Sequence, residues 1–226
     1  MKITYYGHAA VGVDFGGRQL LFDPFISGNP IATSLKADQI PADYILVSHG
    51  HQDHMQDMVG IAKRTGATLI SNAEIVGWAA GKSVKGHSMN HGGKWKFDFG
   101  TVKLVNAIHS SSLPDGANGG NPAGFVVWND AQCFYFAGDT ALTMDMKLIP
   151  ELCPKLDIAM LPIGDNFTMG YKEALMASDF IQCERILGIH YDTFGLIKID
   201  HQQVLDAFKA RGKELILLPI GKSIEI

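Results

Sequence analysis

The stretch Ser48-His49-Gly50-His51-Gln52-Asp53-His54 puts three imidazoles and one carboxylate within six residues. It follows the apolar run Tyr44-Ile45-Leu46-Val47 and precedes a segment, 54–64, in which Met55, Met58, Val59 and Ala62 recur at helical spacing. The reading is a strand, a loop and a helix, with the chemistry in the loop. Residues two apart in extended chain project to the same side, so His49 and His51 can reach one ion together. Asp53 and His54 fall where the chain begins to coil and can turn toward a second position, and Gly50 keeps the turn between them free of a side chain. Taken singly, a loop histidine is more often hydrogen-bonded than ligating, and an aspartate at a helix start is more often a cap. Four such groups at this density fit metal binding far better, because imidazole is the commonest metal ligand.

Working outward, three further donors stand in equivalent places. His109 follows Val102-Lys103-Leu104-Val105-Asn106-Ala107-Ile108, Asp139 follows Cys133-Phe134-Tyr135-Phe136-Ala137-Gly138, and His190 follows Ile186-Leu187-Gly188-Ile189. Each lies just past a predicted strand, at the carboxyl edge where open α/β sheets gather their ligands. Together with the first cluster they make seven donors, enough for two ions.

Further strands are expected at 2–6, 10–15 and 19–23, the last two joined by the hairpin dipeptide Gly16-Gly17. Others are expected at 68–70, 95–99, 124–128, 132–137, 156–160, 185–189, 214–218 and 223–226, with helices over 54–64, 72–81, 143–151, 171–183 and 200–211. Strands in both halves with helices interspersed predict a layered α/β protein, two sheets packed together with helices outside. The 226 residues carry no break of composition, so one domain over 1–226 is expected.

A net charge of −4 leaves no global footprint for a polyanion, and Lys82, Lys85, Lys94 and Lys96 read as a solvated face. Nucleic acid is therefore disfavoured as a partner and a small-molecule substrate preferred. Three widely spaced cysteines without C-x-x-C spacing suit a reduced compartment, with Cys133 and Cys183 as core thiols. With neither a basic-then-apolar leader nor a run of about 20 apolar residues, a cytoplasmic protein without membrane insertion is expected; homo-oligomerisation is left open.

The H-x-H-x-D-H motif with its later histidine, aspartate and histidine resembles the metallo-β-lactamase superfamily over nearly the whole chain. More narrowly, Gly7-His8-Ala9, Asp23-Pro24-Phe25, Ser27-Gly28-Asn29-Pro30, Gly138-Asp139-Thr140, Pro162-Ile163-Gly164-Asp165 with Phe167-Thr168-Met169, and Gly188-Ile189-His190-Tyr191 look like a group of bacterial and archaeal metal-dependent hydrolases. That group is similar to the L-ascorbate 6-phosphate lactonases. The resemblance implies the four-layered αββα sandwich, one metal held by His49, His51 and His109, a second by Asp53, His54 and His190, and Asp139 bridging them. It also implies an active-site role for His8. Asp23 is balanced between a turn residue and a partner that orients a ligand.

The expected function is hydrolysis of an ester, lactone or phosphodiester by a hydroxide shared between two divalent ions, with Asp53 relaying the proton. Zinc is the first choice of metal, with manganese, nickel or iron as alternatives, since N/O ligands select weakly. Two other functions compete: a nuclease or phosphodiesterase acting on nucleic acid, and an iron-dependent oxidoreductase on the same fold. In the di-iron relatives the second motif histidine is typically a carboxylate, so His51 favours hydrolysis. The Gly-rich loop 113–122 reads as a rim that could close over the substrate.

Overall fold

The computed structural model describes residues 1–226. Its first sheet is built from β1 (Lys2–Gly7), β2 (Ala10–Phe15), β3 (Arg18–Phe22), β4 (Tyr44–Leu46), β5 (Thr68–Asn72), β6 (Gly86–Met89) and the last strand, β14 (Ser223–Glu225), in the order β14-β1-β2-β3-β4-β5-β6. The second runs β13-β12-β11-β10-β9-β8-β7, with β7 (Lys94–Lys96), β8 (Thr101–Asn106), β9 (Ala123–Trp128), β10 (Cys133–Phe136), β11 (Ile158–Pro162), β12 (Arg185–Ile189) and β13 (Glu214–Ile216). Helices α1 (Gln52–Met55), α2 (Met58–Thr65) and α3 (Ala73–Ala80) belong to the first half, and α4 (Ile149–Leu152), α5 (Tyr171–Phe180) and α6 (His201–Ala210) to the second. This is the four-layered αββα sandwich.

Strand alternation creates the layers. In β3, Leu20 and Phe22 face the other sheet while Leu21 points outward; in β4, Leu46 is inward and Ile45 outward; in β5, Ile70 is inward and Leu69 outward. The outward set packs under α2 and α3 against Met58, Ile61, Ala62, Ile75 and Ala79. The inward set meets the second sheet through aromatic edges, with Phe22 against Phe125, Phe134 and Phe136 at centroid separations of 6.0, 5.7 and 4.7 Å. Each such side chain contributes about 1.5–3 kcal/mol by leaving water. Every residue of β11, Ile158-Ala159-Met160-Leu161-Pro162, is buried, as befits a parallel strand covered on both faces.

Strand direction decides where the site forms. Strands β1 and β3 both run antiparallel to β2, and β3 to β6 are mutually parallel. In the second sheet β8 and β10 both run antiparallel to β9, and β10 to β13 are parallel. The carboxyl ends of β1, β3, β4, β8, β10, β11 and β12 therefore come to one edge. There the sheets are tied together: the His190 amide donates to the His8 carbonyl (2.8 Å) and the Ala123 amide to the Ser48 carbonyl (3.0 Å).

Several expected elements change on folding. The helix expected over 54–64 begins at Gln52 and breaks before Met58, because the Asp57 carboxylate accepts from the Ile26 and Ser27 amides and its own amide donates to the Pro24 carbonyl. The helix expected over 143–151 is a 3-10 turn, Met144–Leu148, followed by α4, whose first turn holds Pro150. The strand expected over 95–99 shortens to the exposed β7, and β6 was not expected at all. The hairpin at Gly16-Gly17 forms with both residues at positive φ, and the Asn72 and Asp200 side chains cap α3 and α6. No helix is long and apolar enough to cross a membrane.

Candidate metal centre

All the predicted donors converge at the shared edge. His49, His51, Asp53 and His54 come from the β4–α1 connection, His109 from beyond β8, Asp139 from beyond β10 and His190 directly after β12. The ligand atoms of His49, His51 and His109 lie within 4.8 Å of one another, and so do those of Asp53, His54 and His190, joined by His8. Between the two groups stands Asp139. Its Oδ2 is 3.0 Å from His190 Nε2, 3.2 Å from His54 Nε2, 3.6 Å from His109 Nε2 and 4.0 Å from His49 Nε2.

Hydrogen bonds behind the centre set which nitrogen His54 and His49 present. Asp23, fully buried, accepts from the Ser48 amide (2.7 Å), the Ser48 hydroxyl (2.5 Å) and His54 Nδ1 (2.8 Å). With His54 Nδ1 donating, Nε2 is the nitrogen that faces Asp139. The Ser48 hydroxyl, having given its proton to Asp23, accepts from His49 Nδ1 at 2.9 Å, which turns the His49 Nε2 lone pair inward. Asp23 is thus a buried orienting carboxylate and not simply a turn residue. Gly138 permits this closeness: at φ +62°, a Cβ there would lie 2.6 Å from that of Ser48.

His8 is also fully buried, behind Asp53. Its Nε2 lies 3.1 Å from Asp53 Oδ2 and its Nδ1 2.9 Å from the Thr193 hydroxyl. A carboxylate only accepts, so Nε2 carries the proton and Nδ1 accepts from Thr193. Burial pushes the His8 pKa down to about 4, so the ring is neutral at physiological pH. Burial would raise the Asp53 carboxyl, but the bond from His8 and the neighbouring His54 and His8 rings together outweigh it and hold the group well below the usual range.

The remaining electrostatics fit a bound cation. Burial alone would keep His54 neutral, yet the Asp139 and Asp23 carboxylates outweigh it and raise its pKa well above the ordinary value. Burial would likewise raise Asp139, but the imidazoles of His190 and His54 hold it well below the carboxylate range. His49, His51 and His109 are all lowered, mainly by burial, and so offer lone pairs. His54 Nε2, His190 Nδ1 and Asp139 Oδ1 are buried without a hydrogen-bond partner, a costly arrangement that a cation beside His54 and Asp139 would relieve. Six of the eight non-glycine residues in the left-handed region, His8, Asp23, Asp165, Asn166, His190 and Asp192, also lie on this edge's loops. Strained backbone of this kind gathers at functional sites.

The centre opens into a cleft of about 520 Å3 lined by His51, Asp53, His109, Ser110, Asp139 and His190 and rimmed by Phe167, Phe194, Gly195 and Leu196. The Gly-rich loop 113–122 contributes nothing to this lining. Asn72 Nδ2 donates to its Gly119 and Asn121 carbonyls, and the Trp78 indole donates to Asp115, so the loop is tied to α3. Thr193 and the apolar rim residues Phe194 and Leu196 escaped the sequence reading, since no periodicity marks them. His87 and His91 lie outside the centre, and His201 stands on the exposed first turn of α6 with Nε2 2.6 Å from Asp192.

The profile of the β-lactamase superfamily domain matches residues 18–191. A UPF0173 metal-dependent hydrolase of Flavobacterium johnsoniae is 57% identical over 226 residues, covering all of both chains. The chain belongs to the UPF0173 metal-dependent hydrolases of the metallo-β-lactamase superfamily. Among solved structures it is similar to Igni18, a metallo hydrolase from the archaeon Ignicoccus hospitalis (TM-score 0.90, 32% identity, 99% of this chain and 97% of that one). It also shares its fold with an isothiocyanate hydrolase from Delia radicum gut bacteria (TM-score 0.80, 15% identity, 100% and 99%).

Proposed function

We propose that the protein is a binuclear hydrolase of small molecules, holding two divalent cations, zinc by preference. His49, His51 and His109 would hold one and Asp53, His54 and His190 the other, with Asp139 shared between them. The observation that carries this reading is Asp139 itself, with four imidazole nitrogens within 4.0 Å of its Oδ2 while its Oδ1 is buried and unpartnered. A donor set of imidazole and carboxylate suits a borderline metal, and donors spread over two ions leave open positions, unlike a closed structural zinc site. Such cations, when bound, supply Lewis acidity toward a scissile carbonyl or phosphoryl oxygen and lower the pKa of water.

The chain's own residues do the rest. Asp23 and Ser48 fix the His54 and His49 rings, so each presents Nε2 to the centre. His8 is a positioning residue that acts through Asp53. Asp53 is part-exposed to the cleft as an ionised carboxylate, so it is placed to accept a hydrogen bond from the attacking water and relay its proton as an ester, lactone or phosphodiester is cleaved.

Elemental analysis of protein purified without chelator tests this, beside His49→Ala and Asp139→Ala variants whose folding is checked by circular dichroism. Hydrolysis is followed on lactone, ester and phosphodiester panels. Near two ions per chain, lost in the variants together with activity, is the expected result; one ion or none, with activity unaffected, refutes it.

A further inference from the structure

Three of the protein's exposed large apolar side chains, Phe167, Phe194 and Leu196, surround the mouth of one cleft, with Leu196 71% exposed. Exposed apolar groups gathered at a concave site mark a surface that apolar ligand covers. None of the ten residues lining the cleft is Lys or Arg, and the carboxylates there, Asp53 and Asp139, belong to the centre. An anionic group carried away from the scissile bond would find no cationic partner in this lining.

Both walls are built to hold these side chains out. On one side Asp165 and Asn166 adopt φ of 63° and 59°, the Asp165 amide donates to the Met169 carbonyl, and the Asp165 carboxylate accepts from the Asn166 amide. That turn presents Phe167 to solvent. On the other side Asp192, at φ 61°, closes the loop 192–199: its amide donates to the Ile197 carbonyl, and its carboxylate accepts from the Ile199 amide and meets His201. Ile197 is fully buried as an anchor, and Phe194 and Leu196, which precede it in the loop, are left at the surface. Both turns are fixed by hydrogen bonds within the chain itself, so the walls of the apolar mouth are held by the fold.

We infer that the substrate is a neutral molecule whose acyl or alkyl group is apolar, gripped between Phe167 and the pair Phe194 and Leu196, and that substrates with a remote phosphate or carboxylate are disfavoured. The inference rests on the hydrolytic reading for its reaction and on the cleft walls for its specificity.

The test uses the metal-loaded protein and p-nitrophenyl esters from acetate to decanoate, with the p-nitrophenyl monoester of adipate matched against the hexanoate. Binding of acetohydroxamic and octanohydroxamic acids is measured in parallel by calorimetry, since the two share a metal-seeking head and differ only in the tail. We expect kcat/KM to rise about two- to fourfold per methylene until the chain outgrows the cleft. The hexanoate should be preferred to the adipate monoester, and the octano- compound should bind more tightly. Leu196→Asp and Phe167→Ser should flatten the length dependence within each variant. Turnover without length dependence, or with the adipate preferred, overturns the inference and leaves the hydrolase reading standing. No ester turnover with tail-dependent hydroxamate binding supports the apolar walls while removing ester hydrolysis; failure of both hydroxamates to bind refutes the two together.

Discussion

Replacing Asp23 with asparagine removes one buried charge while keeping the side chain's volume and a residue type that tolerates the φ of +41° found there. Asp23 accepts three hydrogen bonds, from the Ser48 amide, the Ser48 hydroxyl and His54 Nδ1. In the variant the amide oxygen can keep the Ser48 amide, and the Ser48 hydroxyl can rotate to accept from the new NH2. His54 Nδ1–H, however, would face a second donor. The ring must then carry its proton on Nε2, the nitrogen that faces Asp139, and it loses the lone pair the centre needs. Partners of this kind are worth about 10- to 100-fold in metal affinity. Exchanging charge-assisted for neutral bonds costs the metal-free fold about 1–2 kcal/mol, or roughly 2–8 °C in Tm for a chain of this size. Zinc affinity measured against a chromophoric chelator, with thermal melts of the chelated protein, checks both quantities. Affinity within twofold of the wild type would refute the role assigned to Asp23.

Two further outcomes follow from buried groups away from the centre. Tyr135 buries its hydroxyl without a partner, so Tyr135→Phe should leave stability unchanged or raise it by about 1–2 kcal/mol by denaturant titration; a loss above about 1 kcal/mol would reveal a partner for that hydroxyl. Burial pushes the Cys133 thiol up to about 12 and raises Cys183 as well, which favours the unreactive thiol form of both. At pH 8 a chromogenic disulfide reagent should titrate at most the part-exposed Cys153 in the native protein and three thiols after unfolding; three rapid equivalents without denaturant would contradict the buried placement.

Much of the site was legible because its densest part is local. His49, His51, Asp53 and His54 share one loop, and spacing along a few residues of chain constrains what their side chains can reach. The later donors were legible as positions after apolar runs, and β8, β10 and β12 do end just before them. Asp23 was not decidable, because its partners Ser48 and His54 are 25 and 31 residues away and nothing near Asp23 distinguishes a turn aspartate from an orienting one. Strand β6 was missed for a related reason. Its residues Gly86-His87-Ser88-Met89 are mostly polar and lie at a sheet edge, so pairing with β5 makes the strand and no apolar alternation announces it.

By itself the sequence determined a layered α/β class with two packed sheets, the hairpin at Gly16-Gly17 and the placing of candidate donors in the His49–His54 loop and after three apolar runs. Each of these follows from interactions over a few residues or from the period of apolar side chains. Only the tertiary structure decided that seven strand ends meet at one edge, that Asp139 stands between two imidazole groups, that His8 lies behind Asp53, and that Phe167 faces the same cleft as Leu196. Those relations depend on strand direction and sheet pairing across the whole chain, and no local pattern encodes them.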